Sequence, residues 1–153
     1  MSEQFMTLAL SAGTDSERWI ELFDQSREFT AAGAHDVRLV DIDADRAVLE
    51  MPIGDHARQP YGLLHGGVSM MLAESAASMH SCWGVDLTEV APVGVEINGS
   101  HLSSAREGTV RAVCTVIKRG ETMIRHHVEI IHVDSGRLLS DVRVTNFYKR
   151  LRS

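Results

Sequence analysis

The order of patterned segments predicts an α+β fold in which one long helix packs against an antiparallel sheet. Two observations carry this. Residues 65–83 form an apolar stretch of helical composition with a single charged side chain, Glu74. Behind it come four consecutive strand-like segments, the last three separated by turn signals. A helix apolar nearly all round needs cover on most of its circumference, and one antiparallel sheet can supply it.

Each element follows from its local pattern. After a loose start, Thr14 to Ala32 reads as one amphipathic helix with Trp19, Ile20, Leu22, Phe23 and Phe29 as apolar positions and Asp15 or Ser16 as cap. Val37 to Ile42 and Arg46 to Ile53 are short strands around the polar turn Asp43-Ala44-Asp45. Gly54 to Leu64 is a loop containing Gln59, Pro60 and Gly62. The central helix spans His65 to Trp83, with two glycines at its start and Gly84 just past its end. Strands follow at Val90–Leu102, Gly108–Lys118, Thr122–Val133 and Arg137–Tyr148. Arg119-Gly120 and Asp134-Ser135-Gly136 mark turns between them. Val110, Ala112, Cys114 and Val116 alternate with more polar neighbours, as in a half-buried antiparallel strand.

Composition narrows the class of protein. The 153 residues suit one domain. Cys82 and Cys114 cannot build a disulfide framework, which points to a reducing compartment. The first ten residues hold Glu3 and no Lys or Arg, unlike a secretory leader, and no apolar run reaches the roughly 20 residues of a membrane helix. A formal charge of −6 argues against nucleic-acid binding. The expectation is a cytoplasmic protein. The charge is unevenly spread: residues 1–100 carry 5 basic and 16 acidic side chains, residues 101–153 carry 10 and 5. Arg106, Arg111, Lys118, Arg119 and Arg125 cluster within this second part, as an ordinary solvated sheet face or as a site for a phosphorylated small molecule.

The chemistry concentrates on the central helix. A carboxylate among Val68, Met70, Met71, Leu72, Ala73, Ala76, Ala77 and Met79 emerges on a narrow solvent edge, pairs with an arginine, or faces a cavity as a poised catalytic group. Ser78 lies four residues on, and so on the same face, where its hydroxyl can orient a water or bond the backbone one turn back. At the helix start, His65-Gly66-Gly67 offers unpaired N–H groups without side-chain bulk. That suits a carbonyl becoming an oxyanion, or equally a close backbone approach. Gln59 adds an amide donor from the preceding loop. Gly66 and Glu74 lie eight residues apart, roughly 12 Å along a helix at about 1.5 Å per residue. Groups reacting on one bond must approach to about 3 Å, so joint action requires two subunits with antiparallel helices.

The run Gln59-Pro60-Tyr61-Gly62-Leu63-Leu64-His65-Gly66-Gly67, followed by Leu72-Ala73-Glu74-Ser75, resembles the hotdog-fold acyl-CoA thioesterases. The resemblance is to the group with a glutamate on the central helix, which includes aryl-CoA, phenylacetyl-CoA, 4-hydroxybenzoyl-CoA and 1,4-dihydroxy-2-naphthoyl-CoA hydrolases. Val93-Gly94-Val95-Glu96-Ile97-Asn98-Gly99-Ser100-His101 and Ala105-Arg106-Glu107-Gly108 resemble the same group. The resemblance implies a thioesterase domain over residues 35–153, preceded by an N-terminal helical segment over 1–34. It implies Glu74 as nucleophile or general base, the Gly66 N–H as oxyanion donor, Gln59 and His65 as polarising groups, and Ser78 as holder of the hydrolytic water. It maps acyl-CoA contacts to Gly94, to His101, Leu102, Ser103 and Ser104, and to Lys118, Arg119, Gly120, Glu121, Thr122 and Met123. At Ser103 this chain departs from relatives that carry a basic side chain there. The resemblance also implies a homodimer with shared active sites, assembled into a homotetramer.

Thioester hydrolysis is chemically coherent with so small a set of groups. The carbonyl has weak resonance stabilisation, and a thiolate of pKa near ~8.5 leaves without a strong acid. Such chemistry needs no metal and no redox cofactor. Adjacent His126 and His127 point to opposite strand faces, which disfavours a zinc site with His132. An α/β-hydrolase would require a G-x-S-x-G elbow that the chain lacks. Two rivals keep the fold: a hotdog hydratase or dehydratase, and an acyl-CoA-binding module without turnover.

Overall fold

The computed structural model describes residues 3–151. Residues 1, 2, 152 and 153 of the expected segments lie outside them. In chain order the elements are α1 (Glu3–Ala12), α2 (Ser16–Ser26), α3 (Ala31–Ala34), β1 (Arg38–Ile42), β2 (Arg46–Pro52), a 3-10 turn (Asp55–Ala57), α4 (Gly66–Ser81), β3 (Val90–His101), β4 (Thr109–Arg119), β5 (Met123–His132) and β6 (Leu138–Arg150). The six strands form one antiparallel sheet in the order β1-β2-β4-β5-β6-β3. From α4 onward, element ends fall within two residues of the sequence expectation.

The sheet packs on α4 through the alternation that the sequence carries. Val110, Ala112 and Cys114 of β4 are buried, as are Val142, Val144, Asn146 and Tyr148 of β6. Against them α4 presents Leu72, Ala73, Ala76, Ala77 and His80, all without solvent exposure. The small residues let the helix sit close to the sheet.

Two expectations at the N-terminus are corrected. The start is not loose, because Glu3–Ala12 is helical. Nor is Thr14–Ala32 one helix: α2 stops at Ser26, with Arg27 as its C-cap. Phe29 takes a left-handed φ of +58° and is 98% exposed, so it is no core residue. Thr30 then opens α3, its Oγ1 donating to the Arg27 carbonyl and accepting from the Gly33 N–H. This local capping outweighs the helical periodicity and reverses the chain toward β1. Asp15 caps α2 as expected, accepting from the Arg18 N–H at 3.2 Å. Ala9, Ala12, Trp19, Leu22 and Phe23 join the same hydrophobic core as the sheet and α4.

Strand β3 is the more exposed of the two edge strands of the sheet. It runs for 12 residues, and most of it is exposed, including Val95. Its pairing with β6 slips at a bulge between Gly94, opposite Asn146, and Glu96, opposite Thr145. Bulges re-aim side chains, and this one faces the middle of α4.

Candidate active site

The start of α4 is built by its cap. His65 is the N-cap, and its ring folds back so that Nδ1 accepts the Gly67 N–H at 2.9 Å. A Cβ at Gly67 would sit 3.0 Å from that ring, which explains the second glycine. A Cβ at Gly66 would lie 2.5 Å from His101 Nε2. The Gly66 N–H has no acceptor among the described residues, so it points a helix-terminal donor at whatever approaches. His101 is fixed from its other side, Nδ1 lying 2.9 Å from Ser140 Oγ. Thus Gly66, His65 and His101 meet at one end of the helix.

The loop before α4 is stapled rather than free. Arg58 Nε donates to the Arg106 carbonyl at 2.9 Å, and Arg106 Nη1 donates to the Tyr61 carbonyl at 2.8 Å. Gly62 takes φ +76°, which favours glycine, and the Gln59 side-chain oxygen accepts the Tyr61 N–H. That bond leaves the Gln59 amide N–H₂ free to donate.

Glu74 lies in the middle of α4 and is exposed in the single chain. Of the three fates open to it in the sequence, burial with an arginine is excluded among the described residues. A Cβ at Gly94 would stand 3.0 Å from Glu74 Oε1, so the glycine at the β3 bulge makes room for the carboxylate. Ser78, one turn on, accepts from Asn146 Nδ2 at 3.3 Å. The structure therefore gathers Glu74, Ser78, Gly94 and Asn146.

Asn146 is the residue that sequence reasoning missed. It is fully buried, and its Oδ1 has no hydrogen-bond partner among the described residues. A buried carbonyl without a donor is costly unless something else, such as a water, completes it. Cys82, nearby, is a core thiol whose pKa burial pushes up to about 12, so it stays protonated and inert.

The expected acyl-CoA contacts divide between the two ends of the sheet. Beyond His101, the N–H groups of Leu102 and Ser103 both reach the Leu139 carbonyl. Arg137 Nη1 lies 3.4 Å from Ser103 Oγ, and its Nη2 donates to the Ser104 carbonyl at 3.1 Å. A guanidinium from the β5–β6 connection thus stands where this chain lacks a basic residue at position 103. Lys118 to Met123 form the β4–β5 turn at the opposite end, closed by the Gly120 N–H on the Met123 carbonyl and the Tyr148 N–H on the Thr122 carbonyl. There Arg119 donates to the Tyr148 hydroxyl, and with Glu121 it lines a hollow of about 360 Å³. With His101 opposite Ser140 and Val93 opposite Phe147, these ends are about seven residues apart, or ~23 Å at ~3.3 Å per residue. One chain does not bring them together.

The basic cluster is partly spoken for. Arg111 pairs with Glu50 and Arg125 with Glu96, whose carboxyl Arg125 and Thr145 hold below the usual carboxylate range. Lys118 has no ion pair among the described residues. His126 and His127 do point to opposite faces: His126 meets His80 in the core, while His127 pairs with Asp141.

An antiparallel sheet folded around a long helix, with a glycine-led helix start and a lone carboxylate two turns on, defines the hotdog class. Residues 61–138 match the thioesterase superfamily, and the chain belongs to that family. It is a thioester hydrolase by this membership. The 1,4-dihydroxy-2-naphthoyl-CoA hydrolase of Escherichia coli is 38% identical over 82% of this chain and 91% of its own length. The enzyme of the same name from Listeria monocytogenes is 33% identical over 76% and 93%. Among solved structures, a mutant thioesterase from Pseudomonas aeruginosa superposes with a TM-score of 0.83 at 32% identity, over 86% of this chain and 94% of that one. No helix of the described residues is long and apolar enough to cross a membrane.

Proposed function

We propose that the chain hydrolyses an aryl-CoA thioester to the free acid and CoA, at sites shared between two subunits. The observation that carries this is the arrangement along α4. A free N–H donor at Gly66 and an exposed carboxylate at Glu74 stand roughly 12 Å apart in one chain, too far to act on one carbonyl. The exposed edge of β3 supplies the remedy. Two such edges pairing antiparallel about a two-fold axis, with the register centred between Ile97 and Asn98, set His101 against the partner's Gly94. Gly66 then faces the partner's Glu74, and the loop at residues 101–104 approaches the partner's 118–123 turn.

In that site the Gly66 N–H donates to the developing oxyanion, with Gln59 and His65 polarising the same carbonyl. Glu74 supplies the oxygen nucleophile, either attacking directly or taking a proton from a water held at Ser78. The C–S bond breaks and CoA leaves as its thiolate; where Glu74 has attacked directly, water then cleaves the acyl–Glu74 anhydride, releasing the free acid and restoring the carboxylate. Lys118, Arg119 and Arg137 face the nucleotide phosphates. The dimers associate further into a tetramer, and the protein works in the cytoplasm.

The test is thiol release from benzoyl-CoA, phenylacetyl-CoA and naphthoyl-CoA. The wild type should turn over at least one, and Glu74→Gln should lose most of kcat, on the order of 10²–10⁴-fold for a lost acid–base group, while still binding ester. Near-wild-type kcat in Glu74→Gln removes the carboxylate from the mechanism. Binding without thiol release by the wild type returns the chain to a binding module.

A further inference from the structure

Gln59 to Leu63 is a tight turn whose shape rests on one peptide group. The Gly62 N–H donates to the Gln59 carbonyl at 2.8 Å, and the Gln59 N–H donates to the Leu63 carbonyl at 2.8 Å. The Gln59 side-chain oxygen takes the Tyr61 N–H, so the aim of its amide is tied to the turn. The Tyr61 carbonyl and the Gly62 N–H share one rigid plane, and rotating that plane breaks the bond to Gln59. Packing does little to restrain it. Tyr61 is 82% exposed, and Gly62, at φ +76°, has no side chain to pack.

Arg106 holds the other end of the same peptide. Its Nη1 donates to the Tyr61 carbonyl at 2.8 Å. A Cβ on Gly62 would stand 3.1 Å from this nitrogen, so the guanidinium lies directly against the turn. The backbone beneath Arg106 is anchored to both sides of the loop. Its carbonyl accepts from Arg58 Nε at 2.9 Å, and the neighbouring Ala105 carbonyl accepts the Leu64 N–H at 2.8 Å. Arg58 is braced in turn by Asp55 and the Ile53 carbonyl. Arg106 is thus a strut across the loop, exposed to solvent but fixed at its base. A single exposed hydrogen bond adds little to the stability of a whole protein, so the effect of this one is local.

We infer that Arg106 is a positioning residue: by holding the Tyr61–Gly62 peptide, its guanidinium aims the Gln59 amide at the thioester carbonyl. The inference rests on the thioesterase reading above and adds a support behind one of its polarising groups. Catalytic donors gain from being locked in place before the substrate arrives, and a small misplacement lowers the rate of the chemical step. Arg106 therefore acts on kcat. The rival role for a basic residue here, a contact to the phosphates of CoA, would act on KM instead.

The experiment measures thiol release by the wild type, Gln59→Ala, Arg106→Met and the double variant. Each is assayed on the aryl-CoA ester that the wild type hydrolyses fastest, and on the pantetheine ester of the same acid, which has no phosphate. Arg106→Met should keep the melting transition and lower kcat on the CoA ester about tenfold, with KM within about twofold. Its kcat/KM on the pantetheine ester should fall by the same factor. A raised KM with kcat kept, and no loss on the pantetheine ester, makes Arg106 a phosphate contact and overturns the proposal. Gln59→Ala should lower kcat at least as far, and adding Arg106→Met to it should cost less than about twofold more, since nothing is left to aim. Losses that multiply overturn the coupling, as does wild-type kcat in Gln59→Ala. Amide hydrogen exchange gives a readout independent of turnover. Exchange at Tyr61 and Gly62 should quicken at least fivefold in Arg106→Met, and unchanged rates overturn the strut. If no ester is hydrolysed, the thioesterase reading fails and takes the aim of Gln59 with it, while exchange decides the strut on its own.

Discussion

Asn146 shows how a single residue serves packing and chemistry at once. Its amide fixes the Ser78 hydroxyl at 3.3 Å, while its orphaned Oδ1 is a structural burden. Replacement by leucine removes the burden and the positioning together. Asn146→Leu should therefore keep or raise the melting temperature while kcat falls about tenfold, some 1.4 kcal/mol of barrier, with KM little changed. Unchanged kcat in a stable variant would show that Ser78 needs no such holder. The residue was legible only in part. Its strand carries Val142, Val144 and Tyr148 on the buried register, so an asparagine on that register was the available signal. Its partner Ser78 lies 68 residues earlier, a juxtaposition that no local pattern encodes. Glu74 was legible because it is the one charge in a long apolar run. Its surroundings were not, since the space beside it depends on Gly94 from another strand.

At the scale of elements, α4 and β5 are joined by a buried histidine pair. His80 Nε2 donates to the Asp43 carbonyl at 3.0 Å, which leaves Nδ1 to accept from His126 Nε2 at 2.9 Å. Burial keeps both rings neutral, lowering His80 and pushing His126 down to about 3. In the unfolded chain both titrate near ~6.5. The unfolded state thus binds more protons below that pH, so the contribution of the pair to stability is complete above about 6.5 and is lost as pH falls toward 3. The melting temperature should drop from pH 7 to pH 5, where ordinary carboxylates scarcely titrate. His126→Gln should flatten that slope, and an identical slope in both proteins would rule the pair out as its source. The packing of α4 against the sheet followed from its apolar pattern, whereas the break after α2 did not. Aromatic periodicity ran on through Phe29, and the cap at Thr30, which a reader of turns can see, prevailed.

The whole molecule is decided by the distance between the start and the middle of α4. Glu74→Gln and Gly66→Pro, each inactive as a homodimer, test whether a site draws on both chains. Position 66 opens the helix, where proline is tolerated, though His101 must yield to the ring, so folding and assembly are verified first. After equal remixing about half the dimers are mixed, each with one site free of lesions, and roughly a quarter of wild-type activity should return. Verified mixed dimers without recovery would sink the shared site, as would an active monomer by light scattering. The expected order of elements from β1 onward needed only periodicity and turns. The proposed pairing of subunits rests on the exposed β3 edge, a property of topology that composition does not reveal.

That separation of donor and carboxylate also has a genetic consequence. Within a shared-site dimer, a chain lacking Glu74 disables only the site to which it lends that residue, and its partner's carboxylate still meets an intact Gly66. A loss-of-function allele is then recessive in proportion to dose rather than poisonous to the wild-type copy. After gene duplication, one copy can lose its carboxylate and the other its helix-start donor, and the pair still retains one working site. Two such copies would depend on each other, turning a homodimer into an obligate pair without the gain of a single new contact.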